Sequence, residues 1–256
     1  MNNLEITPPQ CIIDLEPGST PGDWHRHQNG GGWVFRQARV AETAFVGPHA
    51  VVHGHAEVYG NARIDGHARV FGRGGVKDNA VVCGHAQVGG HAKVAGRAVI
   101  HGHARVGGGA YVFGFAGVCD RAEVTDRAEV YDRAVVGGEA RVGGYSWVYE
   151  DAVVAGRAEV YDRARVYGRA RVFGSAQIGG RTEVWGRARV FDRARVRDYA
   201  QITDDAVICG SAEVAGHARV VCNAVVGDDA VVAGYTRVAD LVVGGDDCQG
   251  EGDDSV

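Results

Sequence analysis

Residues 164–181 read ARVYGRARVFGSAQIGGR and contain three six-residue units, each with alanine, a variable residue and an aliphatic residue before a three-residue turn. The same period extends without interruption from Val34 to Val238, where all thirty-five residues at steps of six are valine or isoleucine. Alternation of a small and an aliphatic residue around a charged one predicts a short β-strand with one buried face. A strict period of six fits no helical stripe, so we expect an all-β protein.

The turn of each unit has its own residue preference. Two positions after the aliphatic residue stands glycine in twenty of the thirty-five units and aspartate in ten. Both residue types tolerate a positive φ, which strains a β-branched residue. Half of the forty glycines thus occupy this turn position, which explains the high glycine content without a collagen-like or disordered segment.

Some side-chain types recur in every third unit and not in every unit. One such series is aromatic and another is histidine: Phe113, Tyr131, Tyr149, Tyr167 and Trp185, and His49, His67, His85 and His103. Chemistry that repeats in every third unit implies coils of three units with three flat faces. We predict one solenoid of about 11 to 12 triangular coils of about 18 residues each, with no inserted loop.

These units resemble those of the hexapeptide-repeat proteins, and the resemblance covers residues 34–238. It implies a left-handed parallel β-helix and, because many members of that family assemble in this way, a homotrimer of parallel rods. Runs such as RARVYGRARVFG also resemble loop-free repeat proteins of bacteria and phages, whose activity is uncharacterised.

Composition divides the chain into three segments. Residues 1–33 hold four of the five prolines and predict an N-terminal arm or cap, and residues 34–240 form the β-helix. Residues 241–256 predict a last strand followed by an acidic, flexible tail.

Charge, apolar content and cysteine spacing exclude several classes of protein. The net charge of −5 comes from the acidic C-terminal end, so we expect no nucleic-acid partner. The sequence has neither a signal-like start nor an apolar run of membrane length, which favours a cytoplasmic protein of a bacterial cell or a phage, with no membrane partner. The six cysteines lack paired short spacings, and we expect reduced thiols.

We distinguish three faces by their inward aliphatic residues. Face one contains Val52 and Val70, face two Val112 and Val130, and face three Ile64 and Val82. On face one, arginine and glutamate alternate outward in successive coils from position 105 to position 159, which predicts weak ion pairs on a solvated face.

Face two carries the aromatic series, which we name the aromatic column. Its candidate residues for binding a small molecule or a protein partner are Phe113, Tyr131, Tyr149, Tyr167, Trp185 and the neighbouring Trp147. Exposed aromatic rows anchor many ligands, but stacking of rings also stabilises a sheet without any ligand.

Face three carries small and apolar outward residues. Its candidate interface residues are Val81, Val99, Val135, Val153, Val207 and Val225. Because an apolar wall is unfavourable in water, we predict self-association through this face, as a homotrimer. Cover by the N-terminal arm is the alternative.

A cysteine and histidine cluster lies beside face three in the predicted coils. The candidate metal ligands are Cys83, His85, His101, His103 and Cys119, which we expect to suit zinc. The alternative is that histidine simply shares an outer turn position with arginine and asparagine throughout the chain.

The resemblance also implies enzymes: acetyl-coenzyme A-dependent acyltransferases with a histidine general base in a cleft between subunits, and zinc-dependent carbonic anhydrases. A repeat without inserted loops has little to enclose a reacting centre. We therefore expect a non-enzymatic, oligomeric scaffold or binding protein without a cofactor, which binds a ligand or partner on its aromatic face or in grooves between subunits. The alternatives are an acyltransferase that uses His101 and His103, or a zinc protein like a carbonic anhydrase.

Overall fold

The computed structural model describes residues 7–245 and residue 248. It contains the predicted all-β solenoid of about 12 turns and about 18 residues per coil. In the described residues, helical structure is confined to a short α-helix, Gln10–Ile13, and a 3₁₀-helix, Pro21–Asp23.

Each face is one sheet, and its strands are two or three residues long. The strands of face one are Trp24–Arg26, Trp33–Phe35, Val51–Val52, Arg69–Val70, Gln87–Val88, Arg105–Val106, Glu123–Val124, Arg141–Val142, Glu159–Val160, Gln177–Ile178, Arg195–Val196, Glu213–Val214 and Val231–Val232. Those of face two are Arg39–Val40, Glu57–Val58, Gly75–Val76, Lys93–Val94, Tyr111–Val112, Glu129–Val130, Trp147–Val148, Arg165–Val166, Glu183–Val184, Gln201–Ile202, Arg219–Val221 and Arg237–Ala239. Those of face three are Phe45–Val46, Arg63–Ile64, Val81–Val82, Val99–Ile100, Gly117–Val118, Val135–Val136, Val153–Val154, Arg171–Val172, Arg189–Val190, Val207–Ile208, Val225–Val226 and Val242–Val243.

Strand pairing places every third unit in register in adjacent coils. Val124 pairs with Val142 on face one, and Val130 pairs with Val148 on face two. The inward valines, isoleucines and alanines of all three faces form one continuous core, and almost all of them are fully buried. Because each coil repeats this pattern, a side chain in the turns also lies above its counterpart in the preceding coil.

The turn position with positive φ explains why aspartate alternates with glycine. Asp126 has a φ of 57°, and its carboxylate accepts a 2.9 Å hydrogen bond from the backbone N–H of Gly144 in the next coil. The same contact joins Asp162 to Gly180 at 2.9 Å. An aspartate here offsets its backbone strain with a charge-assisted hydrogen bond between coils.

The N-terminal arm packs on face one. Trp24–Arg26 pairs antiparallel with Trp33–Phe35, and Trp24, Trp33, Phe35 and Val51 form a second buried cluster. Ile12, Ile13 and Leu15 pack against this cluster. The large apolar side chains in the described part of the arm therefore pack on the first coils of face one and not on the outward valines of face three, contrary to the alternative in which the arm covers face three.

The loop of this hairpin also pairs with the first strand of face three. The backbone N–H of Val46 donates to the Asn29 carbonyl at 3.0 Å, and the N–H of Gly32 donates to the Val46 carbonyl at 2.8 Å. These bonds occupy the first edge of that sheet, where unpaired groups would invite another strand.

Two cysteines near the C-terminal end are joined. Cys209 and Cys248 form a disulfide with a Cα–Cα distance of 5.7 Å, whereas Cys11, Cys83, Cys119 and Cys222 are free. The expectation of six reduced thiols is thus wrong for one pair, because Cys248 lies beside Cys209 in the folded chain. The predicted flexible tail at residues 246–247 and 249–256 lies outside the described residues.

Candidate functional site

The aromatic column is formed as predicted, with one ring per coil. Phe113, Tyr131, Tyr149 and Tyr167 stack at centroid distances of 4.8, 4.9 and 4.8 Å, with interplanar angles of 5–6°. Trp185 completes the column at 5.7 Å from Tyr167. The spacing matches the distance between paired strands, so the turn geometry itself holds the rings parallel.

Stacking determines which part of each ring a partner meets. The three tyrosines have a ring on both sides, so their faces are covered. Their side chains are partly exposed, which leaves the ring edges as the part that a partner can meet. Partial burial raises the pKa of Tyr131 and of Tyr167 to about 12 and also raises that of Tyr149. The hydroxyls therefore remain protonated at neutral pH, where each donates and accepts hydrogen bonds.

Charged side chains lie directly beside the column. Trp147 stands next to it on face two, and the guanidinium of Arg165 lies 4.7 Å from the Trp147 ring centroid. Arg165 also pairs with Glu183 at 3.4 Å. At the end of the column nearest the N-terminus, the ring centroids of Tyr111 and Phe113 are 4.5 Å apart. The strip combines apolar ring edges, hydroxyls and both signs of charge, a mixture that suits recognition of a polar, extended partner.

The six candidate interface valines all project outward from face three. In adjacent coils, Val81 pairs with Val99, Val135 with Val153, and Val207 with Val225. Each leaves part of its side chain exposed, and Val99 is the most exposed at 37%. Beside them, Cys119 and Ala155 are buried and small, which leaves this wall flat and uncharged over five coils.

The histidine series forms a second column of stacked rings. His49, His67, His85 and His103 stack with centroid distances of 5.2, 5.0 and 4.8 Å. All four lie exposed at one edge of face three. Nitrogen lone pairs lie in the plane of an imidazole ring, so parallel rings direct them side by side and not toward a shared point.

The predicted metal ligands are neighbours in the coils, but they do not converge. Within residues 7–245 and 248, no three histidine, cysteine, aspartate or glutamate side chains are grouped in a way that would hold a metal ion. Burial, with Asp120 nearby, raises the pKa of Cys119 to about 12, and its thiol donates to that carboxylate at 3.4 Å. Burial also raises the pKa of Cys83.

His101 and His103, the candidate general bases, lie exposed on this same edge. Neither lines the shallow cavity that the structure has on face one. Each would need a second subunit to form a cleft around it.

The ion pairs predicted for face one are present, and the same face has a cavity that the sequence did not predict. Glu123 pairs with Arg105 at 3.2 Å and with Arg141 at 3.9 Å. Next to these charges is a cavity of about 210 Å³ between Phe71 and Thr125. The available signal in the sequence is glycine at positions 89 and 107, each directly after an inward valine.

Comparison of the sequence with known protein families and with curated proteins finds no match. None of the helices in the described residues has the length and apolar character needed to cross a membrane.

Proposed function

We propose that the protein is a non-enzymatic, oligomeric scaffold that binds an extended partner along the aromatic column. The observation that carries this proposal is the parallel stack from Phe113 to Trp185, in which the rings of Phe113 and the three tyrosines follow one another at centroid distances of 4.8–4.9 Å. A partner that runs along the column meets a tyrosine in three successive coils, with Phe113 before them and Trp185 after them. The proposal includes a left-handed winding and a place among the hexapeptide-repeat proteins, which the unbroken repeat supports.

A planar ligand stacked between these rings is a weaker candidate than a partner that contacts their edges. The faces of Tyr131, Tyr149 and Tyr167 are already covered by one another. Insertion of a ligand would have to separate two coils whose backbones are hydrogen-bonded, such as Tyr149 N–H to Val166 O at 3.1 Å. Contact with edges and hydroxyls needs no such separation.

The oligomeric part of the proposal rests on face three. Its central wall is uncharged, flat and regular, so the surface that matches it in pitch and polarity is the same wall of a second copy. Burial of the remaining exposed parts of the valines contributes roughly 25 cal/mol per Å² of apolar surface. We propose that three parallel copies bury this wall around a common axis.

Self-association is tested by light scattering after size-exclusion chromatography. Val135→Asp with Val153→Asp should convert a trimer into monomers, because each substitution would place a charge without a partner in the interface. Val231→Asp is the matched control, since Val231 is an outward valine on face one and is 66% exposed. A wild-type monomer, or loss of the trimer in the control as well, contradicts this part of the proposal.

Partner binding is tested by quantitative mass spectrometry of polypeptides that co-purify from the native source. Replacement of Tyr131, Tyr149 and Tyr167 by threonine keeps strand-compatible side chains and removes the ring edges. Tyr145→Thr with Tyr199→Thr is the control, because these tyrosines lie exposed at a different corner of the coils. A partner that is depleted only by the triple variant supports the proposal; equal recovery with both variants refutes it.

A further inference from the structure

The cavity on face one has an empty side-chain position at its centre. The ring of Phe71 lies over Gly89, where a Cβ atom would come within 2.5 Å of the ring Cζ. Gly107 is one coil further along, and a Cβ atom on it would have no atom within 4 Å. The ring face of Phe71 therefore borders an open space, which we name the Gly107 slot.

The same local arrangement recurs ninety residues later. Tyr161 lies over Gly179 as Phe71 lies over Gly89. The outward strand residues also correspond: Gln87, Arg105 and Glu123 at the first site match Gln177, Arg195 and Glu213 at the second. Since ninety residues are five coils, the two sites lie at equivalent places on the same face. The central position is Gly107 in one site and Arg197 in the other, and the strand residue beside the ring is Arg69 in one and Glu159 in the other.

Arg197 shows what kind of group the position accepts. Its Nε donates to the Glu213 carboxylate at 2.8 Å, and its Nη2 contacts the same oxygen. The hydrogen bond to Glu213 raises the pKa of Arg197, and the charge of Arg197 also acts on the hydroxyl of Tyr161. A planar cation thus lies beyond the aromatic ring and is held by the glutamate of the next coil.

We propose that the Gly107 slot binds the guanidinium or amidinium group of a ligand. Glu123 stands to Gly107 as Glu213 stands to Arg197, sixteen residues further along the chain. Phe71 offers its ring face to a cation, and Thr125 adds a hydroxyl where the second site has an alanine. The site lies on face one, so it is independent of the aromatic column and of face three.

Glu123 retains the capacity to accept such a ligand. It pairs with Arg105 at 3.2 Å through Oε1, whereas the Arg141 pair at 3.9 Å through Oε2 is longer than a hydrogen bond. A carboxylate has about four acceptor positions, so Oε2 is free to accept a planar donor. Gln87 and Arg105 also line the slot.

The proposal is tested by titrating benzamidine, free L-arginine and N-acetyl-arginine methylamide into the protein, followed by calorimetry and NMR. We expect saturable binding at one site, with a Kd on the order of 1–10 mM, because the contacts are one exposed ion pair and one cation–π contact. Tighter binding of N-acetyl-arginine methylamide than of L-arginine would assign the site to an arginine side chain of a partner, and the reverse order to a small molecule.

Variants of the two matched sites change the number of binding sites in opposite directions. Gly107→Arg fills the slot as Arg197 fills its own and should abolish binding, whereas Gly107→Ala should retain it. Arg197→Gly should open a second site and raise the stoichiometry from one to two. Glu123→Gln should weaken binding tenfold or more. Thermal melting by circular dichroism confirms that each variant is folded.

Two outcomes overturn the proposal. One is a wild-type titration without saturation. The other is saturable binding that Gly107→Arg leaves unchanged while Arg197→Gly adds no site, since the ligand would then bind elsewhere.

Discussion

The turn position with positive φ allows a prediction in which two side chains of the same shape have different effects. Gly168 has a φ of 73°, and a Cβ atom on it would lie 2.9 Å from both the N and the O of Gly186 in the next coil. We compare Gly168→Asp with Gly168→Leu. Both side chains branch at Cγ, but only aspartate offers an acceptor to the Gly186 N–H, as Asp162 does to Gly180 at 2.9 Å.

The two variants share the backbone strain and differ in the hydrogen bond. A non-glycine residue in this region costs about 1–2 kcal/mol, and the close contact adds about 1 kcal/mol or more. A hydrogen bond to a charged acceptor returns about 1.5–3 kcal/mol. Gly168→Leu should therefore lower the free energy of unfolding by about 2–4 kcal/mol, whereas Gly168→Asp should change it by about 1 kcal/mol or less.

Urea denaturation measures the difference, and two spectroscopic probes establish whether the unfolding of this repeat protein is two-state. Hydrogen exchange of the Gly186 amide gives an independent readout, since its N–H should be slowed in Gly168→Asp and unchanged in Gly168→Leu. Equal destabilisation by both variants, together with unchanged Gly186 exchange, would refute the explanation of why aspartate occupies these turns.

Three further predictions concern the arm, the core and the C-terminal end. Burial beneath the arm lowers the pKa of His53 in the folded protein. The contribution of His53 to the free energy of unfolding should therefore be complete above about pH 6.5 and be lost as the pH falls toward the lowered pKa of the folded state. Tryptophan fluorescence measures this loss, and an identical pH profile for His53→Gln would contradict it. Ile100→Ala should lower the free energy of unfolding by about 2–5 kcal/mol in urea denaturation, because Ile100 is fully buried. The control is Val99→Ala, which should lower it by less than about half as much, since Val99 projects outward. Reduction of the Cys209–Cys248 disulfide, which spans 39 residues, should lower stability by up to about 4 kcal/mol in the chain-entropy model. Hydrogen exchange should locate that loss in the last coils, and uniform loss along the solenoid would argue against it.

The solenoid could be predicted from the sequence because every coil repeats the same local rules. An inward aliphatic residue, an alanine and a turn that accepts positive φ determine each unit, as ARVYGR at 164–169 illustrates. The recurrence of Tyr131, Tyr149 and Tyr167 in every third unit then fixes the length of the coil. The three sheets, the buried core and the vertical columns followed from that period alone.

Periodicity was enough to specify which residues share a column, but the orientation of their side chains emerged only from the folded chain. Parallel stacking covers the ring faces of the aromatic column, and the predicted metal ligands remain apart, because side-chain orientation depends on neighbours above and below. The arm on face one, the Cys209–Cys248 pair and the open position at Gly107 likewise became visible only in three dimensions. These features break the repeat, so no periodic rule specifies them, and they depend on contacts between residues far apart in the chain.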